Sequence, residues 1–191
     1  MNKKIFVFYP PSKLYQRGED RSQGNVEDSS ATTMRAPNDL GYASSTLKQK
    51  NYQVKLKDYQ SENLSFDVLK SDFEKFIPDV IFMSITNATI FGDLEIISEL
   101  IKDRPNTVVI LKGALFFNPD DEMLKLLPLE NIDYLIGGES DFVLADLIDA
   151  HFDNREKIKD IRGISFKENK EWIKTDFSSW EKDLDTLVFP D

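Results

Sequence analysis

The feature that most constrains this chain is a buried strand that ends in small polar residues. Residues 80–83 form a short, wholly apolar run without alternation, which is typical of a strand covered on both faces. Ser84, Thr86 and Asn87 follow at once, and a helical pattern with one apolar face comes next. In an open α/β sheet, the ligand binds where such a strand ends. This stretch therefore predicts a fold class and the place of a binding site.

Strand and helix patterns alternate along most of the chain. This alternation predicts an α/β fold in three layers, with a doubly wound, parallel, five-stranded sheet of the flavodoxin-like or Rossmann-like type. Amphipathic helical patterns lie between the predicted strands and after the last of them. The predicted strands occupy residues 5–9, 53–56, 80–83, 107–111 and 132–136.

The pattern changes after about residue 155. Residues 164–174 alternate around a polar turn, which predicts a β-hairpin appended to the sheet domain. The tail at 184–191 has no evident partner in the sequence and is typical of a shortened linker. The predicted organisation is an α/β domain at 1–155, followed at 156–191 by a hairpin and a truncated linker.

Three local features carry predictions of their own. Asn118 is expected to cap a helix that has Pro119 in its first turn. His151 closes the last predicted helix of the α/β unit, where we expect it to interact with the helix dipole rather than with a ligand. Residues 12–37 are polar and aperiodic, which predicts either a functional loop or a disordered one.

The composition argues against several functional classes. The chain has 191 residues and a formal net charge of −10, so binding to nucleic acid or to anionic membranes is not expected. It has no cysteine and one histidine, which excludes disulfides, a thiol nucleophile, and iron–sulfur or multi-histidine sites built from this sequence alone. No apolar run approaches the ~20 residues that span a bilayer, and a cytoplasmic location is expected.

The end of the first strand argues against the common phosphate and nucleotide motifs. Tyr9-Pro10-Pro11-Ser12 lacks the spaced glycines of a dinucleotide site and the Gly-rich Lys-Ser/Thr turn of a P-loop. Two prolines also replace the Ser/Thr-rich phosphate loop of a flavodoxin. The strand that ends at Ser84 has no aspartate there to accept a phosphoryl group.

Each candidate at the other strand ends also has a purely structural interpretation. Ser84 and Thr86 are small polar residues of the kind that cap helices. Gly113 would permit the close approach of a flat ligand, or would simply form a turn. Glu139 follows two glycines and is either a hydrogen-bond acceptor or a first-turn acid favoured by the helix dipole. The residues alone leave these alternatives open.

Taken in order, the landmarks resemble those of one known family. The chain is similar, over almost its whole length, to the N-terminal cobalamin-binding domain of the cobalamin-dependent radical S-adenosylmethionine (SAM) enzymes. Each motif is weak alone, and their shared order gives the resemblance its specificity. The motifs are Tyr9-Pro10-Pro11-Ser12, Ala36-Pro37-Asn38-Asp39-Leu40-Gly41-Tyr42-Ala43, Lys50-Asn51-Tyr52-Gln53-Val54, Pro78-Asp79-Val80, Ser84-Ile85-Thr86, Leu111-Lys112-Gly113, Ile132-Asp133-Tyr134-Leu135-Ile136-Gly137-Gly138-Glu139, Ile161-Arg162-Gly163-Ile164-Ser165-Phe166 and Leu187-Val188-Phe189-Pro190-Asp191.

The resemblance implies a cobalamin whose nucleotide tail lies against the strand ends. Ser84, Thr86 and Asn87 would line the tail cleft, with Pro11 and Ser12 after the first strand. Gly113 and Ala114 would let the tail pass, Gly138 and Glu139 would close the far side, and Asn38, Leu40 and Gly41 would approach the corrin ring. No residue of this chain is expected to be catalytic or to ligate a metal.

One departure from related cobalamin proteins limits what the chain can do. Cobalamin mutases ligate cobalt through a His in an Asp-x-His-x-x-Gly loop, and this sequence has no His before His151. The implied cobalamin is therefore base-off and without a protein ligand to cobalt. The SAM site and the [4Fe-4S] cysteines would lie in a catalytic domain beyond Asp191. The alternative is a domain that keeps this fold without cobalamin and serves the radical enzyme as a scaffold or substrate-recognition module.

Overall fold

The computed structural model describes residues 3–12, 36–176 and 184–191. Most of the loop predicted at 12–37 lies outside the described residues. The strands are β1 (Lys4–Tyr9), β2 (Gln53–Asp58), β3 (Val80–Ser84), β4 (Val108–Lys112), β5 (Tyr134–Ile136), β6 (Ile164–Glu168) and β7 (Glu171–Lys174). The α-helices are α1 (Asn38–Gln49), α2 (Phe66–Phe76), α3 (Ile90–Ile101), α4 (Asp121–Leu126) and α5 (Val143–Asp153). Short 3₁₀ turns lie at Ala114–Phe116, Arg155–Asp160 and Leu184–Thr186.

The strands form one sheet in the order β2-β1-β3-β4-β5-β6-β7. Every neighbouring pair from β2 to β5 is parallel. The chain winds outward from β1 to the edge strand β2, then returns past β1 to β3 and continues in the other direction. The order of winding therefore reverses between β1 and β3, and this switch point is where open α/β sheets bind ligands.

The sheet has seven strands, whereas the sequence predicted five strands and a separate hairpin. β6 pairs with β5 in antiparallel register, with Ile136 opposite Ile164, and β7 pairs with β6. Phe166 on β6 is buried and belongs to the same core as Tyr134 on β5. The hairpin extends the sheet because its apolar side chains bury themselves against the free edge of β5. The sheet is thus mixed, though mostly parallel.

Alternation along the central strands divides the apolar residues between two cores. Ile5, Val7 and Tyr9 on β1 point to the face covered by α1 and α5, and Phe6 and Phe8 point to the face covered by α2, α3 and α4. All five side chains are at most 3% exposed. Because both faces of β1 and β3 are covered, only the ends of these strands offer polar groups to a ligand.

Two local predictions about α4 and the tail were wrong. α4 begins after Asp120, whose carboxylate accepts from the Glu122 amide at 2.6 Å, so Asp120 rather than Asn118 is the cap. Asn118 instead adopts a φ of 51°, a conformation that asparagine tolerates in turns. The tail is not without a partner, because Asp191 contacts α1, as described below. Among the described residues, no helix is long and apolar enough to cross a membrane.

His151 does not act as a charged partner of the helix dipole. Its Nδ1 lies 2.7 Å from the Tyr134 hydroxyl, and its ring packs edge-on against Phe152. Burial, then the positive charges of Arg155 and Lys3, lowers the pKa of His151 to about 4. The imidazole is therefore neutral near pH 7. The guanidinium of Arg155, which can only donate, lies 3.4 Å from the same Nδ1, so Nδ1 is the acceptor and the Tyr134 hydroxyl donates to it.

We expect the fold to lose stability as the pH falls from about 7 to about 5. A histidine in the unfolded chain has a pKa near 6.5. In this pH range it therefore binds a proton in the unfolded state, whereas folded His151 stays neutral. The stabilising contribution is complete above the unfolded pKa and declines as the pH falls toward the folded pKa. Urea unfolding of wild type and His151→Gln at both pH values measures it. The variant should lose less stability than wild type, and equal losses would contradict the assignment.

Candidate functional site

The candidate site lies at the carboxyl ends of the parallel strands. On the face covered by α1 and α5, the last residues of four adjacent strands form a line, which we call the strand-end row: Tyr9, Ser84, Lys112 and Ile136. Ser84 pairs in register with Lys112, and Lys112 with Ile136, while Tyr9 follows the Phe8–Met83 pair. With strands ~4.8 Å apart, the row extends over about 14 Å.

The first member of the row is tied to the start of α1. The Tyr9 hydroxyl donates to Asp39 Oδ1 at 2.6 Å, and both residues are buried. Asp39 Oδ2 is also buried, and it has no hydrogen-bond partner among the described residues. A buried carboxylate oxygen without a partner is costly, so this atom is available to a donor that enters the site.

A chain of three polar side chains follows Ser84 at the end of β3. Thr86 Oγ1 lies 3.0 Å from Thr89 Oγ1, and Thr89 Oγ1 lies 2.6 Å from Asp93 Oδ2. All three residues are buried, and Asp93 is only 1% exposed. Asp93 lies in the first turn of α3, where the helix dipole favours a carboxylate. Asn87, by contrast, is exposed.

The glycine after β4 makes room for the chain itself. A Cβ on Gly113 would lie 3.1 Å from Ile85 Cγ1 and 3.3 Å from its carbonyl oxygen. The Gly113 amide also donates to the Ile136 carbonyl at 3.1 Å, which holds the end of β4 to β5. Ala114 is exposed and begins a 3₁₀ turn. Close packing against Ile85 is therefore sufficient to explain Gly113.

The end of β5 contains the tightest backbone approach at the site. A Cβ on Gly137 would lie 2.1 Å from the Phe116 carbonyl oxygen, so only glycine fits there. Gly138 is half-buried, Glu139 is exposed, and Ser140 is fully buried just before α5. Ser140 Oγ has no hydrogen-bond partner among the described residues.

A cavity lies beside the strand-end row, toward the hairpin. This cavity of about 180 Å³ lies between the turn after β4 and strands β6 and β7. Gly137 and Gly138 form part of its wall. Lys174 borders it and is held by the Pro119 carbonyl and by Asp121. The glycines after β5 thus separate the cavity from the strand-end row.

At the start of α1, the C-terminal segment covers a glycine. A Cβ on Gly41 would lie 2.9 Å from Pro190 Cβ, and the Asp191 amide donates to the Gly41 carbonyl at 3.3 Å. The Asp191 carboxylate also binds Ser44 and Lys48 on the next turns of α1. Desolvation raises the pKa of the Asp191 carboxyl, but the hydrogen bonds from Lys48 and Ser44 lower it by more, so the net pKa is below its ordinary value. Asn38 is exposed and Leu40 is fully buried in the core.

The structure places the predicted site residues at one edge of the sheet but in different environments. Ser84 and Thr86 are buried at the end of β3, whereas Pro11 and Ser12 are half-exposed after β1. Gln60 donates to the Ser12 hydroxyl at 3.0 Å, which ties this segment to the turn after β2. Leu40 belongs to the core beside this edge.

Sequence reasoning missed five residues that contribute to this edge. The sequence pattern places Tyr9 in an apolar strand and Lys112 next to Gly113, and neither position indicates a site residue. Asp39 and Asp93 each have an obtainable signal, since each is an acid in the first turn of a helix that follows a parallel strand. Ser140 gives no sequence signal beyond its position. The missed residues are Tyr9, Asp39, Asp93, Lys112 and Ser140.

Three comparisons with known proteins bear on this fold. No family model matches the chain. The chain is 28% identical over 135 residues to an uncharacterized methyltransferase, PH0819, of Pyrococcus horikoshii, covering 70% of this chain and 28% of that protein.

Two radical SAM enzymes of known structure contain a region with this fold. OxsB, a cobalamin-dependent SAM radical enzyme solved with aqua-cobalamin and SAM bound, matches 94% of this chain with a TM-score of 0.68 and 17% identity. The radical SAM methyltransferase TsrM of Kitasatospora setae, solved with cobalamin and a [4Fe-4S] cluster, matches 99% with a TM-score of 0.62 and 14% identity. The chain spans only 23% of OxsB and 31% of TsrM.

The close approach at Gly137 predicts a large difference between two glycine substitutions. Gly137→Ala should lower the free energy of unfolding by about 1–3 kcal/mol, because its Cβ would displace the Phe116 carbonyl. Gly92→Ala is the matched control, because no atom lies within 4 Å of its added Cβ, and it should gain about 0.5–1 kcal/mol in helix α3. Urea denaturation measures both, and equal effects would contradict the packing argument.

Proposed function

We propose that this chain is a cobalamin-binding module of a larger radical SAM enzyme and is not catalytic by itself. The observation that carries the proposal is the strand-end row at the β1/β3 switch point. Polar groups lie there at the ends of buried apolar strands. Two buried polar atoms beside the row, Asp39 Oδ2 at the start of α1 and Ser140 Oγ after β5, have no hydrogen-bond partner among the described residues. The match of nearly the whole chain to OxsB and TsrM supports the choice of cofactor.

The chemistry of these residues suits cobalamin. The corrin ring is surrounded by primary amides, which both donate and accept hydrogen bonds, and the nucleotide tail carries one phosphodiester. Asp39 Oδ2 can accept from an amide, and the Ser140 hydroxyl can donate. Half-buried Lys112, next to Ser84 in register, supplies a positive charge for the phosphodiester. When bound, cobalamin would supply the methyl-carrier chemistry.

The proposed roles follow the order of the strands. Ser84, Thr86 and Asn87 line the tail cleft at its centre, and Gly113 with Ala114 and Gly138 with Glu139 border it toward β5. Pro11 and Ser12 border the cleft after β1. Asn38 and Gly41 lie toward the corrin, and Leu40 supports that side from the core. The tail cleft therefore follows the strand-end row.

We propose that cobalamin binds base-off and without a protein ligand to cobalt. His151 is the only histidine of the chain, and it lies near the C-terminal end of α5, beside Lys3 at the opposite edge of the sheet. Its Nδ1 is also occupied by the Tyr134 hydroxyl. SAM and the [4Fe-4S] cluster would belong to a catalytic domain outside this chain, and the reaction would be methyl transfer or a related rearrangement.

The alternative is a domain that keeps the fold without cobalamin and acts as a scaffold or substrate-recognition module. The specific observation in its favour is that two predicted cofactor-facing glycines already have intramolecular neighbours. Gly41 is covered by Pro190, and Gly113 packs against Ile85. Neither glycine needs a cofactor to explain it.

A titration with hydroxocobalamin distinguishes the two functions. We expect saturable binding to the wild-type chain with the spectral shift of base-off cobalamin. Ser84→Tyr should weaken binding at least about tenfold, because the ring would fill the row at its centre. Ser98→Tyr is the matched control, since Ser98 is exposed on α3 and should leave binding unchanged.

Circular dichroism establishes that each variant is folded. If Ser84→Tyr does not fold, Ser84→Val removes the hydroxyl with less added volume and should also weaken binding. A folded wild-type chain that gives no spectral change would overturn cobalamin binding and favour the scaffold. Binding that survives both Ser84 substitutions would place the cofactor elsewhere.

A further inference from the structure

We propose that Asp93, acting through Thr89, fixes Thr86 as a hydrogen-bond acceptor and so makes the site select a ligand group that donates. The chemistry selected is a primary amide over the corresponding carboxylate, on a corrin side chain that extends into the tail cleft as far as Thr86. This inference rests on the proposed function, since it concerns a ligand bound along the strand-end row.

The direction of the chain follows from counting protons. A threonine hydroxyl has one proton to donate and two lone pairs that accept. An ionised carboxylate only accepts, so the 2.6 Å contact between Thr89 Oγ1 and Asp93 Oδ2 uses the Thr89 proton. Thr89 can then only accept in its 3.0 Å contact with Thr86 Oγ1, which means that Thr86 donates inward.

Burial strengthens the hydrogen bonds that set this direction. Thr86 and Thr89 are at most 9% exposed and Asp93 is 1% exposed, so water does not compete freely for their hydrogen bonds. Hydrogen bonds to a charged group are stronger than those between neutral groups, and chains of them reinforce one another. The free rotation that a threonine hydroxyl would otherwise have is lost at Thr86.

The consequence for recognition is one of polarity. With its proton committed to Thr89, Thr86 presents only lone pairs to a group at the end of β3. A ligand amide can donate to that oxygen. An ionised carboxylate in its place has no proton to donate, so the two oxygens would repel each other. Asp93 is therefore a positioning residue, which acts on the ligand through Thr89 and Thr86 without touching it.

The probes are hydroxocobalamin and its monocarboxylic acids, in each of which one side-chain amide is hydrolysed. We expect wild type to bind one acid isomer at least about tenfold more weakly than hydroxocobalamin, because a buried acceptor is then left unpaired. Thr89→Val removes the hydroxyl that joins Thr86 to Asp93 at nearly constant volume, so the Thr86 proton becomes free to bind the ligand. The ratio of the two affinities should then fall toward about one. Thr89→Ser keeps the hydroxyl and should therefore retain the wild-type preference for hydroxocobalamin.

Thr107→Val is the matched control, because Thr107 is a buried threonine beside the opposite end of β4 and should leave the preference unchanged. If Thr89→Val does not fold, Thr86→Val removes the acceptor itself and should also abolish the preference. A wild type that binds hydroxocobalamin and all acid isomers equally, or a Thr89→Val variant with the wild-type preference, overturns the inference and leaves the proposed function intact. Failure of wild type to bind any of these corrinoids overturns the proposed function, and the inference with it.

Discussion

The structure depends on the burial of β3 between β1 and β4. Residues 80–83 are 0% exposed, so no polar side chain can be accommodated along the strand. Both faces are apolar because α1 and α5 cover one and α2, α3 and α4 cover the other. The reversal of winding at β1 leaves the carboxyl ends of the two strands adjacent, without a helix crossing directly between them. Polar chemistry is thereby confined to the last residue of each strand and the first turn beyond it.

Within this restricted edge, glycines serve the packing of the chain before they serve any ligand. Gly137 lets the Phe116 carbonyl approach, Gly113 accommodates Ile85, and Gly41 accommodates Pro190. A glycine after a strand in a sequence therefore indicates a close approach without identifying the atom that approaches. The polar atoms buried without a partner are more informative, because the fold does not account for them.

The fold was largely predictable because hydrophobic periodicity is a local property. The apolar runs predict all five parallel strands, β1 to β5, and their alternation with helical patterns predicts the doubly wound topology. β6 was predicted as a hairpin strand, but its pairing with β5 depends on a free edge that no local pattern records. The candidate site was less predictable for the same reason: the hydrogen bond from Tyr9 to Asp39 spans 30 residues. The sequence also gives no sign that Asp39 Oδ2 is without a partner among the residues that the structure describes.

The charges at this edge also bear on the kind of ligand that suits it. Asp39 and Asp93 place two buried carboxylates near the strand ends, and the chain carries a net charge of −10. These negative charges would disfavour a polyphosphate, and among the described residues the strand-end row has one cation, Lys112, to set against them. A molecule with many uncharged amides and one phosphodiester requires acceptors for its N–H groups and a single cation. The polar groups of the strand-end row and the turns beside it match that requirement better than they match a nucleotide.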